Sequence, residues 1–300
     1  MDFGIFMEFE RRAGTTETAA FGEGLALVDS AEAAGLDSVW LAEFHFAPGR
    51  SVLSSPVVVA GAIAGRTKRI RIGMAVYVLP LNHPVRIAEE IATLDHLSGG
   101  RIELGIGRSG FTYFYKAYGI PYEESHARFD EGLEIIRKAW RGERFSHVGA
   151  HFRIDDALVC PQPVQQPHPP LRMAATTMET FARVGAAGLP IFVGLRGDGL
   201  NVLAEGVSAY RAAWLEHGHA RKPSVYLRVP LFAGQTEDAA RAVPRETLMH
   251  YFDRQAQMIA ADLANRADGD RQRRAAEELA SLSYDDMLRT RVAVGGPEGL

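Results

Sequence analysis

Arg108 is the residue whose type and setting say most about chemistry. It follows Gly105 and Gly107, and small residues let a ligand approach the backbone closely. Its guanidinium supplies a planar fork matched to phosphate. Thr176 and Thr177 stand just before a helical stretch, where hydroxyls and free N–H groups meet an anion at the positive end of the helix dipole. Ordinary N-capping is a compatible reading of the same threonines. Together with Arg108 they point to a phosphate pocket. His45, in the run Glu43-Phe44-His45-Phe46, is the candidate acid–base residue, although a histidine at a strand end also serves packing and hydrogen bonding. His83, just before Pro84, reads as loop architecture. No G-x-x-x-x-G-K-[ST] loop is present, which disfavours ATP by a P-loop, and NAD by a Rossmann unit is disfavoured too. There is no HxH in the first strand and no HExxH, so no metal site is expected. A phosphate-bearing flavin fits better, its apolar ring or substrate lined by Phe6, Phe44, Phe46 and Phe111.

Such residues need elements to hold them. Short, nearly continuous apolar runs occur at 3–9, 38–43, 70–78, 101–107, 171–176, 189–195, 224–233 and 290–295. Parallel strands covered on both faces read this way. Between them lie amphipathic stretches. Residues 19–34 end at Gly35, residues 84–97 open on Pro84 and end at Gly99 and Gly100, and residues 123–142 place Phe129, Leu133, Ile136 and Trp140 at helical spacing. Eight strands interleaved with helices predict a (β/α)8 TIM barrel in preference to an open sheet. In a barrel the chemistry sits at the C-terminal strand ends, where Glu43–Phe46, Met74–Val76, Arg108–Phe111 and Thr176–Thr177 fall.

One domain over residues 1–300 is expected, with insertions at about 143–170 and 244–286. The first is rich in Pro, Gln and His and carries a short hairpin. The second, after the seventh strand, is strongly charged and is either a lid over the catalytic face or a solvated helical pair. The closing GGPEGL reads as the opening of a final helix whose body is missing.

Composition narrows the partners. Hydrophobic residues make up 47% and charged residues 23% of 300, with a net charge of −4. Nothing in that balance attracts nucleic acid or an acidic membrane. One cysteine, Cys160, leaves no internal disulfide and fits a reducing compartment. The N-terminus lacks the pattern of a signal peptide, and no run reaches the roughly 18 apolar residues of a membrane span. A cytoplasmic location is the expectation.

The run IGMAVYVLPLNHPVRIAEEIATLDHLSGGRIELGIGRSG, from Ile72 to Gly110, resembles the corresponding stretch of the bacterial luciferase-like, flavin-dependent monooxygenases, relatives of alkanal monooxygenase. DSVWLAEFHF, ARFDEGLEIIRKAW and PPLRMAATTMETF are similar to the same family's pattern. The resemblance implies a barrel that binds reduced FMN and activates O2 on it, oxidising a small apolar substrate such as an aldehyde. It implies a separate flavin reductase and a homodimer. Arg108 matches the phosphate-binding arginine, and Thr176 and Thr177 match phosphate-contacting positions. Met74, Ala75 and Val76 fall where the family supports the flavin ring, the last two through a non-prolyl cis peptide. The family has two adjacent histidines after the second strand. Here Phe44 stands at the first and only His45 remains. Two alternatives share this pattern: an F420-dependent oxidoreductase, and a non-catalytic flavin-binding protein.

Overall fold

The computed structural model describes residues 1–195, 199–263 and 270–299. Residues 264–269 of the expected 244–286 insertion, and Leu300, lie outside the described residues. The chain divides into two compact units, Met1–Ala174 and Ala175–Leu300. Each of the eight apolar runs contains an observed strand.

The first unit runs β1 (Gly4–Met7), α1 (Glu17–Ala33), β2 (Ser38–Leu41), α2 (Pro56–Arg66), β3 (Arg71–Met74), β4 (Tyr77–Val78), α3 (Pro84–Ser98), β5 (Ile102–Gly107), α4 (Thr112–Tyr118), α5 (Ser125–Ala139), β6 (Phe145–Val148), β7 (Arg153–Ala157) and β8 (Leu171–Ala174). Strands β1, β2, β3, β5 and β8 lie side by side in that order, all parallel, and β4 pairs with the far end of β5. The expected single strand over 70–78 is therefore two, interrupted at Ala75 and Val76.

Alternation sorts the side chains onto two faces. Val39, Leu41, Ile72, Met74, Ile102, Leu104 and Ile106 are fully buried on the face covered by helices. Across the other face, register aligns Phe6, Trp40 and Gly73. Trp40 fills the space over Gly73, where a Cβ would come within 2.0 Å of its ring. The indole N–H donates to Ser38 Oγ at 2.9 Å, and Arg172 lies 5.3 Å over the ring. Glu103 accepts from Arg172 and from Arg71, so this buried carboxylate has the partners that make its desolvation tolerable.

The N-terminal ends of the strands are clamped by two side chains. Arg101 donates to the carbonyls of Ser98, Ile70, Ala64 and Thr67 and to the Thr67 hydroxyl, at 2.7 to 3.1 Å. Ala64 and Thr67 end α2, so the guanidinium also meets the negative end of that helix. Glu32, from α1, accepts the successive N–H groups of Lys68, Arg69 and Ile70 on one oxygen, at 2.7 to 2.9 Å. The β6–β7 hairpin, within the first expected insertion, docks on α5. There Glu131 accepts from the N–H groups of His151 and Phe152 and meets His147 Nε2 at 3.0 Å.

The second unit holds α6 (Met178–Ala186), β9 (Ile191–Gly194), α7 (Gly199–Glu216), β10 (Val225–Arg228), β11 (Leu231–Ala233), α8 (Glu237–Ala242), α9 (Arg245–Leu263), α10 (Asp270–Ser281), α11 (Tyr284–Thr290) and β12 (Ala293–Gly295). Strand β9 pairs in parallel with β10, and β11 with β12. The run 224–233 splits before Pro230, which has no N–H to give a ladder. Among its described residues the charged second insertion is largely helical, and α9, α10 and α11 share an apolar seam of Phe252, Ala256, Leu279 and Met287.

Burial would raise the Glu32 carboxyl, but the N–H groups of Ile70, Arg69 and Lys68, with Arg101 nearby, hold it below the usual glutamate range. A lowered folded value stabilises above the ordinary glutamate pKa and loses that contribution as pH falls through the lowered value. Glu32→Gln should therefore cost about 1–2 kcal/mol near pH 7, read as a lower unfolding midpoint. The gap to the parent protein should close in acid. A gap that stays constant down to pH 3 would contradict this account.

Candidate active site

The first unit gathers most of the expected site residues at the C-terminal ends of β2, β3 and β5. Past the end of β2 the chain continues extended, with Ala42 N–H donating to Met7 O and Phe44 N–H to Leu53 O, both at 3.0 Å. This places the buried Glu43 carboxylate below the next strand. Glu43 Oε2 accepts the Val78 N–H at 2.9 Å, and Oε1 lies 2.8 Å from His45 Nε2. A carboxylate there assigns the ring proton to Nε2 and leaves Nδ1 as an acceptor. The Tyr118 hydroxyl reaches Nδ1 at 3.3 Å. Phe114 and Tyr118 meet the imidazole edge-on, with centroids 5.1 and 5.3 Å away. Burial, and then the charge of Glu43, push the Tyr118 phenol up. It stays protonated at neutral pH.

The interruption between β3 and β4 forms a ledge. Ala75 and Val76 are half-buried in an otherwise buried segment, and the peptide joining them is cis, as the resemblance implies. Ala75 N–H donates to Leu41 O at 2.7 Å. Across from it, Gly107 comes so close that a Cβ would stand 2.4 Å from Val76 Cγ2. Only glycine allows that approach without displacing Val76. Met74 sits on the helix-covered face with Ile72, fully buried. Any part it plays at the ledge falls to its backbone.

Arg108 follows Gly107, and Ser109 takes a left-handed conformation with φ of 60°. The guanidinium donates to Ser125 Oγ at 2.8 Å and lies 5.0 Å over Tyr122. The Arg108 carbonyl accepts from the Tyr115 hydroxyl. Ser125 is the first residue of α5, so a fixed cation stands beside the positive end of a 15-residue helix. That combination favours an anion.

Phe44 packs against Phe111 and Phe114, at 6.1 and 6.5 Å, with Arg50 4.1 Å over its ring. Arg50 is itself held by Glu8 through two hydrogen bonds of 2.9 and 2.7 Å. Phe46, in a left-handed conformation, exposes its ring beside Tyr118 at 5.8 Å. The structure thus brings Phe44, His45, Phe46 and Phe111 into one aromatic cluster, while Phe6 lies on β1 in register with Trp40. Thr176 and Thr177 belong to the second unit. Thr177 caps α6, its Oγ1 accepting from Thr180 N–H at 3.2 Å.

Sequence reasoning passed over several of these groups. Phe114, Tyr115 and Tyr118 come from α4, a seven-residue helix inside a stretch that reads as loop; the helical spacing of Phe111, Phe114, Tyr115 and Tyr118 was the available signal. It also passed over the G-x-G-x-x-G spacing of Gly105, Gly107 and Gly110. Here Gly107 makes room for Val76, and the helix that follows is too short to be the long helix of a dinucleotide unit.

The family model for luciferase-like monooxygenases matches residues 1–300. An uncharacterised protein of Sinorhizobium fredii, y4wF, is 38% identical over 198 residues, 62% of this chain and 57% of its own length. A second protein of that organism, y4vJ, is matched over 49% of its length, so the chain spans about half of these relatives. The oxygenase component of the flavin-dependent trigonelline monooxygenase of Acinetobacter baylyi is 25% identical over 254 residues, 84% of this chain and 70% of that one. Among solved structures, the oxygenating constituent of 3,6-diketocamphane monooxygenase of Pseudomonas putida, in complex with FMN, superposes with a TM-score of 0.81 at 21% identity, covering 100% of this chain and 85% of that one. The F420-dependent tetrahydromethanopterin reductase of Methanopyrus kandleri gives 0.72 at 19%, covering 99% and 87%. The fold is the luciferase-like TIM barrel, and with its whole described length matched by the family model, the chain belongs to the luciferase-like monooxygenases.

Proposed function

We propose that this chain is the oxygenase of an FMNH2-dependent monooxygenase, acting with O2 on a small apolar organic substrate such as an aldehyde and taking its reduced flavin from a separate reductase. The observation that carries the reading is the half-buried Ala75–Val76 ledge packed on Gly107, with Arg108 one residue further at the N-terminus of α5. A flat ring needs such a ledge, and a phosphate needs such a cation. Bound reduced flavin would supply the electrons and the site of oxygen activation.

The protein's own groups then have distinct tasks. Arg108 binds the phosphate, and Thr176 and Thr177 offer hydroxyls and N–H groups of the same anion-binding kind at the start of α6. Met74, Ala75 and Val76 carry the ring. His45, its proton fixed by Glu43, handles protons, and Phe6, Phe44, Phe46 and Phe111 keep water from the apolar substrate. A homodimer, a cytoplasmic location and a single domain over 1–300 complete the proposal. Sedimentation at micromolar concentration reads the first.

The test is a titration with FMN, riboflavin and F420. A charged hydrogen bond to phosphate contributes about 1.5–3 kcal/mol, so Arg108→Ala should weaken FMN binding roughly ten- to a hundredfold. Riboflavin, without the phosphate, should change far less. Equal losses for the two flavins would refute the phosphate contact, and tight binding of F420 but not FMN would favour the deazaflavin reading. A protein that binds FMN but turns over no aldehyde with NADH, a reductase and O2 would be a flavin carrier and not an oxygenase.

Gly107→Ala makes the complementary prediction. The new methyl must displace Val76, and overpacking of this kind costs about 1–3 kcal/mol. Unfolding should come at a lower temperature, and FMN and riboflavin should weaken together, because the ledge touches the ring they share. A selective loss of FMN would contradict the ledge.

A further inference from the structure

We propose that Tyr118 is a catalytic residue, the outer member of a Glu43–His45–Tyr118 relay that takes a proton from a substrate O–H group at the aromatic rim formed with Phe46. The inference rests on the monooxygenase reading and adds to it a catalytic group and a substrate class: apolar molecules that carry, or acquire by hydration, a hydroxyl.

The inner part of the relay is closed. Glu43 is buried and both its oxygens are engaged, by Val78 N–H and by His45 Nε2. The imidazole is buried as well, edge-on to Phe114 and Tyr118. The Tyr118 hydroxyl already occupies His45 Nδ1 at 3.3 Å. Tyr118 is different. The residue is 48% exposed, and its ring lies 5.8 Å from that of Phe46, which is 59% exposed. A half-exposed tyrosine thus sits at the edge of an apolar platform.

Donor and acceptor roles give the direction. With the Nε2 proton donated to Glu43, Nδ1 accepts the phenolic proton, and the phenol oxygen is left to accept from a ligand. The substrate must therefore donate. In the step, the substrate O–H proton moves to the Tyr118 oxygen as the Tyr118 proton moves to His45 Nδ1. The products are a substrate oxyanion and an imidazolium paired with the Glu43 carboxylate. Nothing is oxidised or reduced. The orienting carboxylate, shuttling imidazole and outer hydroxyl have the order of a catalytic triad. The rise of the Tyr118 phenol with burial and the charge of Glu43 keeps its proton in place to be passed on. Among the described residues, Tyr77, from β4, and Tyr115, from α4, also feel the charge of Glu43; burial raises both, and they stay neutral.

The experiment compares the parent protein with Tyr118→Phe and Glu43→Gln. Phenylalanine keeps the ring packing and removes only the hydroxyl. Positioned acid–base groups contribute roughly 10²–10⁴-fold, so Tyr118→Phe should lower kcat at least about a hundredfold, with FMN affinity unchanged. In the parent, kcat should rise as pH climbs through the apparent pKa of the relay. Tyr118→Phe should flatten that limb, and Glu43→Gln should move it to lower pH, because the imidazolium loses its counter-charge. A Tyr118→Phe protein with kcat and pH profile within twofold of the parent would overturn the proposal. Histidine ¹⁵N resonances of the flavin-free protein give a second arm, the His45 signal being the one lost in His45→Gln. An Nε2–H tautomer whose titration moves in Tyr118→Phe supports the relay, and an Nδ1–H tautomer, or a titration indifferent to that change, overturns it. Because this arm needs neither flavin nor turnover, it judges the relay even if FMN does not bind.

Discussion

The buried carboxylate of Glu43 is the constraint on which the rest of the site depends. An ionised group out of water costs several kcal/mol unless its oxygens find donors, and here each oxygen has found one. The Val78 N–H fixes the strand that follows the Ala75–Val76 ledge, and His45 fixes, through Tyr118, the helix that follows Arg108. Strand β4 pairs Val78 with Gly107 and Tyr77 with Ile106. The contact of Val76 with Gly107 is therefore set by the same carboxylate that orients the histidine. The Ala75–Val76 ledge and His45 are held relative to one another by one side chain with two acceptors.

Such an arrangement is affordable only because the other ends of the strands are secured independently. Arg101 and Glu32 make charge-assisted hydrogen bonds to backbone groups around the starts of β3 and β5, and each such bond contributes about 1.5–3 kcal/mol where shielded, less where exposed. None of these partners is near Glu43 in the sequence of strand ends. The C-terminal ends are consequently free to end early, as β2 does at Leu41, or to break, as the run 70–78 does after Met74. Loops that would weaken a sheet at its clamped end are tolerated at the other, which is where a barrel carries its chemistry.

What could be read in the sequence follows from which interactions are local. Parallel strands buried on both faces leave continuous apolar runs, so the fold class was legible from Val39, Ile72, Leu104 and their neighbours. Arg108 was legible because glycines flank it. The breaks at Ala75–Val76 and before Pro230 lie inside apolar runs, where periodicity alone gives no warning, although the proline did. The relay was hidden for a different reason. Glu43 meets Val78 across 35 positions, and His45 meets Tyr118 across 73; no spacing rule joins residues so far apart. Helix α4 was missed because the eight residues between Gly110 and Gly119 look like a loop bounded by turn formers. The charged stretch 244–286 hid its apolar seam, because Phe252, Ala256, Leu279 and Met287 are sparse among charges and come from three helices.

Phe44 now has a physical account. Its ring lies under Arg50 and touches Phe111 and Phe114, and a cation stacked on an aromatic face gains more where water is excluded. Arg50 is held there by Glu8 in a bidentate pair. A histidine at position 44 would have to share that slot with a guanidinium, where a second positive charge is unfavourable and protonation suppressed. Phenylalanine removes the conflict. The histidine at 45 has its own carboxylate. Glu43, two residues back, is that carboxylate, and α4 brings Tyr118 to the other ring nitrogen.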